Sequence, residues 1–139
     1  MQANDPRMKR VEIEGFCDRW LAAWGGNRPE ELIQFYSDDA SYSDPANRNG
    51  LKGRDQILPY FKKLLATNPG WKWEAVEVFP TDHGFVAKWK ATIPIGPETI
   101  TELGMDIVEI ESGRITRNEV YFDRSNMIEA LRRMEAARC

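Results

Sequence analysis

The sequence predicts an α+β domain in which helices cover one face of a long, curved antiparallel sheet. Three observations carry this. Up to about residue 65 the apolar side chains recur every three or four positions, which is the mark of helices with one buried stripe. From Trp71 onward the period drops to two, as in strands covered on one side. The length of 139 residues, 42% of them hydrophobic, suits one compact domain over residues 1–139 that needs no disulfide staples and leaves no room for a second.

In chain order, Ile13, Phe16, Cys17, Trp20, Leu21 and Trp24 share one face of a first helix expected over Met8 to Trp24, closed by Gly25, Gly26 and Asn27. Pro29, Glu30 and Glu31 suit the first turn of a short second helix, where proline needs no partner for its missing donor and carboxylates favour the dipole; this helix is expected to carry Leu32, Ile33, Phe35 and Tyr36. Ala40 to Asp44 reads as a short strand closed by Pro45, and Ala46 to Gly53 as a polar loop. A third helix carries Ile57, Tyr60, Phe61, Leu64 and Leu65, with Pro59 tolerable near its first turn or at a kink. Four strands follow, Trp71 to Phe79, Phe85 to Ile93, Thr99 to Ile110 and Arg114 to Asp123, as an antiparallel meander. A last helix from about Ser125 carries Met127, Ile128, Leu131 and Met134, with Asp123 or Ser125 as its cap. A bent sheet folded against helices leaves a conical cavity at its open end, the usual kind of place for a small molecule.

Composition narrows the function by exclusion. With 19 Lys+Arg against 22 Asp+Glu the net charge is −3, so the broad positive field that attracts nucleic acid is missing. No apolar run approaches a membrane span, and Met1 to Arg10 lacks the apolar stretch of a signal peptide, so the expected location is the cytoplasm. Cys17 and Cys139 are too few and too far apart for a disulfide scaffold or a zinc knuckle, and both are expected to be reduced. His83, the one histidine, falls in a hairpin turn; no Ser-His-Asp or Cys-His arrangement, phosphate loop or transition-metal site can be built around it, and no cofactor is expected.

The run from Phe35 to Pro45 (FYSDDASYSDP), then Gly53-Arg54-Asp55-Gln56-Ile57 and Tyr60-Phe61, resembles the nuclear transport factor 2-like superfamily, in particular SnoaL-like polyketide cyclases and ketosteroid isomerases. The likeness spans nearly the whole chain, including Trp20 to Trp24, Gly113-Arg114-Ile115 and Val120 to Asp123. It implies a cone-shaped roll that hosts several chemistries and some proteins with none. It also implies two carboxyls: the isomerase base falls on Asp44, and the second acid on Asp106 in Gly104-Met105-Asp106. The tyrosine that donates to the oxyanion is matched by Trp20, and its supporting tyrosine by Phe61, so half of that machinery is altered.

Two carboxyls in one apolar cone can divide the work, since a wet one stays ionised and takes a proton from carbon while a buried one stays neutral and donates to a forming enolate. Each residue has a plainer reading as well. Asp44 before proline is a common turn former, and Asp106 could be a solvent-facing strand residue, though it alternates with Gly104, Val108 and Ile110. By resemblance Asn118, Val120 and Phe122 face inward, which makes Asn118 a substrate-orienting amide or a polar residue at a sheet edge. Trp20 either offers an indole donor or fills the cone, and Trp24, Tyr36, Tyr42, Tyr60, Trp89 and Phe122 are either core or contacts for a flat apolar ligand. Arg117 falls on the outward face, away from the place that an epoxide-opening arginine between two acids would need. The sequence therefore leaves open a cofactor-independent isomerase or cyclase acting on an apolar carbonyl compound, a non-catalytic hydrophobic ligand binder, and a filled cone that works through its surface. By resemblance a homodimer is expected through the outer sheet face, with Lys88, Lys90, Arg117, Glu119 and Tyr121.

Overall fold

A computed structural model describes residues 8–138; the amino-terminal stretch before Met8 and Cys139 lie outside them. The elements run α1 (Arg10–Ala22), α2 (Pro29–Ile33), β1 (Tyr36–Asp44), β2 (Asn47–Lys52), α3 (Arg54–Thr67), β3 (Lys72–Pro80), β4 (Gly84–Ile95), β5 (Glu98–Glu111), β6 (Arg114–Tyr121) and α4 (Ser125–Ala137). The strands form one six-stranded sheet in the order β2-β1-β6-β5-β4-β3. The expected meander holds for β3 to β6, while β1 joins β6 in parallel. Register shifts in the β1–β6, β3–β4 and β5–β6 ladders bend the sheet, which stays open. No described helix is long and apolar enough to cross a membrane.

Alternation in β4 sets the two faces. Phe85, Ala87, Trp89, Ala91 and Ile93 are buried and Lys88 and Lys90 lie on the other side, as the period of two predicts. α1 packs its stripe of Ile13, Phe16, Cys17, Trp20 and Leu21 against β3 and β4, α3 lies against β1 and β2, and α4 crosses β4 and β5. Cys17 is fully buried and its thiol is pushed up to about 12, first by burial and then by Asp18 and Asp106, so it remains an inert core thiol.

Two expected boundaries move, each for a local reason. Tyr36 opens β1 rather than closing α2, because α2 stops at Ile33 and the Phe35 carbonyl already pairs with the Ile115 amide of β6. The segment expected as a loop between residues 46 and 53 contains β2, since the Asp44 side chain accepts from the Ala46 and Asn47 amides and turns the chain back on β1. Pro59 sits inside α3, where it leaves the Asp55 carbonyl without its usual donor but does not end the helix.

Candidate active site

Between α1, α3, α4 and the inner face of the sheet lies a cavity of about 290 Å³. Its walls are largely apolar: Leu21 and Trp24, Leu64 of α3, Trp73 of β3, Ile93 and Ile95 of β4, Val120 of β6, Phe122, and Met127 and Leu131 of α4. Asp44, Asp106, Tyr42, Tyr60, Asn68 and Arg124 are polar or charged side chains among its lining. Of the residues expected to touch a ligand, Trp24, Tyr42, Tyr60 and Phe122 do line the cavity, together with both aspartates.

Trp20, Tyr36, Trp89 and Asn118 do not line it. All four are fully buried behind the wall, and they form a chain of hydrogen bonds that ends on Asp106. The Trp20 indole donates to the Tyr36 hydroxyl at 3.1 Å, and that hydroxyl donates to Asn118 Oδ1 at 2.7 Å. Asn118 Nδ2 donates to Asp106 Oδ2 at 2.8 Å, while Trp89 Nε1 donates to Asp106 Oδ1 at 2.7 Å. Sheet register builds this arrangement, because Trp89 stands opposite Gly104 and Asn118 opposite Val108, so both are diagonal neighbours of Asp106 on one face. Gly104 is required there: a Cβ would come within 2.4 Å of the Trp89 ring and 2.7 Å of Phe122. The indole of Trp20 is thus occupied by Tyr36, and Phe61, packed on Tyr36 at 5.4 Å between ring centres, has no donor to add.

The two aspartates differ in their surroundings. Asp44 Oδ2 accepts from the hydroxyls of Tyr42 at 2.8 Å and Tyr60 at 2.7 Å, and Oδ1 accepts from the Ala46 and Asn47 amides and from Asn47 Nδ2. It is turn former and cavity residue at once. Burial and the bond to Asp44 hold the Tyr60 phenol well above its ordinary range, and burial does the same for Tyr42. Asp106 accepts a single hydrogen bond on each oxygen. Burial pushes its carboxyl up to about 7 against the pull of Asn118 and Trp89, with Asp44 adding a smaller upward push. Glu102, which shares its face, is also buried, and its Oε1 has no partner among the described residues; the same holds for the indole nitrogen of Trp71 in the cavity wall.

The SnoaL-like domain family matches residues 17–118. The chain belongs to the SnoaL-like family. Solved structures agree on the fold: this SnoaL-like protein aligns with one provisionally described as a SnoaL-like polyketide cyclase from Jannaschia sp. CCS1 with a TM-score of 0.74 at 12% identity, covering 94% of this chain and 97% of that one. AclR of Streptomyces galilaeus, provisionally described as a hydroxylase, aligns with a TM-score of 0.73 at 12% identity over 90% and 98% of the two chains. A protein with a ketosteroid isomerase-like fold from Catenulispora acidiphila, solved in complex with trimethylamine, aligns at 0.71 and 19% identity over 80% and 87%. At these identities the likeness to solved structures is one of fold alone; the family match over residues 17–118 is what supports the nuclear transport factor 2-like superfamily.

Sequence reasoning missed several lining residues of the SnoaL-like cavity. Trp71, Trp73, Met127 and Leu131 belong to strand and helix patterns whose covered face carries no sign of whether it meets a neighbour or a void. Arg124 is missed as well, although its sequence signal is clearer, a single cation between the inward Phe122 and the stripe of α4. Arg117 lies on the outer face, 3.5 Å from Glu109 and bonded to Glu119, as its parity predicts.

Proposed function

We propose that this SnoaL-like protein binds an apolar carbonyl compound in its cavity and exchanges a proton with it, without a cofactor, through Asp106. The supporting observation is that Asp106 lines an apolar cavity with lone pairs to spare and a carboxyl pushed up to about 7. A base whose conjugate acid titrates near the working pH is the effective kind. In the step we envisage, an Asp106 oxygen takes a proton from the carbon next to the carbonyl, the C–H electron pair forms the enolate with its charge on the former carbonyl oxygen, and the proton returns to carbon. Asp44, to which the resemblance assigns the base, already accepts five hydrogen bonds against roughly four lone-pair positions, so we give it the role of holding Tyr42 and Tyr60 on the rim.

A second reading, a binder that breaks no bond, is favoured by one observation: Trp20, at the position of the missing oxyanion donor, is sealed off from the cavity by its bond to Tyr36. Deuterium exchange next to the carbonyl of an α,β-unsaturated bicyclic ketone separates the two. The catalytic reading expects exchange that rises with pH through about 7, falls by roughly 10²-fold or more in Asp106→Asn, and stays within about tenfold in Asp44→Asn. Binding with no exchange, or equal rates in wild type and Asp106→Asn, would retire it. We also propose a homodimer through the outer sheet face, where the exposed Leu103, Met105 and Tyr121 cluster, with Met105 and Tyr121 paired in register.

A further inference from the structure

Arg124 lies just ahead of α4, half-buried, and it is the one cationic side chain among the described residues that line the cavity. Other arginines have acidic partners: Arg28 meets Glu31, Arg54 meets Asp38 and Arg133 meets Glu98. The Arg124 carbonyl accepts from the Ile128 amide at 2.9 Å, but its guanidinium forms no ion pair or hydrogen bond with any described residue. The acids around it bond to other donors. Asp44 is surrounded by the hydroxyls and amides described above, Asp106 by Trp89 and Asn118, and Asp123 accepts from the Ser125 amide and hydroxyl, while the first turn of α4 holds no acidic residue. The Arg124 charge is nevertheless felt by the Tyr60 phenol, which puts the guanidinium on the same rim of the cavity as the Tyr60–Asp44 pair.

From that rim an aromatic wall runs along the cavity. Ring centres are 6.0 Å apart for Tyr60 and Tyr42, 6.2 Å for Tyr42 and Trp24, 6.4 Å for Trp24 and Trp73, and 4.7 Å for Trp73 and Trp71. A half-desolvated guanidinium with no ion-pair partner among the described residues, at one end of an aromatic wall, is matched by a ligand with the opposite polarity. We propose that Arg124 is the anion-binding group of this cavity, and that the ligand is a flat apolar molecule bearing a carboxylate that docks on the guanidinium while its body lies along the aromatic wall. The inference rests on the small-molecule reading above and names the class of compound. A planar guanidinium pairs with a carboxylate through two parallel hydrogen bonds, which fixes orientation as well as affinity. An ammonium compound could use the same ring faces, but the Arg124 guanidinium on the rim would repel it.

Quenching of tryptophan fluorescence provides the test, since Trp24, Trp71 and Trp73 all line the cavity. Three probes of one shape are titrated at about pH 6: 2-naphthoate, 2-acetonaphthone and 2-naphthylmethylammonium. Wild type is expected to bind the carboxylate at least about tenfold more tightly than the ketone, with the ammonium weakest. That ratio should fall to about one in Arg124→Gln and persist at several-fold in Arg124→Lys, whose charge is kept but whose fork is lost. Equal binding of carboxylate and ketone, or preference for the ammonium, overturns the assignment of Arg124 while leaving the cavity reading intact. Failure of all three probes overturns both. The wild-type comparison decides the matter even if Arg124→Gln does not fold.

Discussion

Asp44 and Asp106 face the same cavity, yet the number of donors around each sets what it can do. With five donors Asp44 is an anchor, and its loss should be felt as stability. Asp44→Asn leaves the Tyr42 and Tyr60 hydroxyls and the 46–47 turn short of acceptors and should cost about 1–3 kcal/mol in a denaturant melt, with a larger effect on folding than on proton exchange. Asp106 is held by two donors whose own orientation is set from behind. Because the Tyr36 hydroxyl donates to Asn118 Oδ1, the amide must present its NH₂ to Asp106. Tyr36→Phe strands the Trp20 indole and frees Asn118 to turn. It should destabilise the fold by about 1–3 kcal/mol and shift the pH midpoint of proton exchange, a change that a purely structural defect would not produce.

At the scale of elements, the strands and helices with a clean period were legible in the sequence. β4 shows why: one face meets the core and the other meets water, so its alternation is written in side-chain type. β2 was not legible, because the edge strand Asn47–Lys52 buries almost nothing and is fixed by a side-chain turn at Asp44 rather than by apolar residues. The same limit applies to the site. Parity puts Asp106, and the resemblance puts Asn118 and Phe122, on the inner face where they are found, but depth along that face decides which of them reach the cavity, and depth depends on tertiary packing. Gly104 is the element-scale key to that depth, since it lets Trp89 and Phe122 close over β5. Gly104→Ala is therefore expected to push Trp89 off Asp106, cost about 1–3 kcal/mol by overpacking, and change the indole fluorescence in the folded state.

For the molecule as a whole, a carboxyl held at about 7 ties stability to pH. The folded chain keeps a proton on Asp106 between about pH 4 and 7 that the unfolded chain has already lost, so this contribution is full below the ordinary aspartate range and is lost as pH rises through about 7. The slope of unfolding free energy against pH should reach about −1.4 kcal/mol per unit from this group within that window, and Asp106→Asn should lack it. The outer face offers a separate test. If Leu103, Met105 and Tyr121 form the twofold contact, Leu103→Asp combined with Tyr121→Asp should convert a dimer to a monomer in light scattering, with the cavity still able to bind; a wild type that already elutes at the monomer mass would remove the dimer. A neutral-range acid facing an apolar cavity can be observed by carbon NMR of the aspartate carboxyls across pH, with Asp106→Asn to assign the resonance. The Asp106 carboxyl should titrate at about 7 and shift when a ligand occupies the cavity, whereas titration in the ordinary aspartate range, unaltered by ligand, would rule out this role for Asp106.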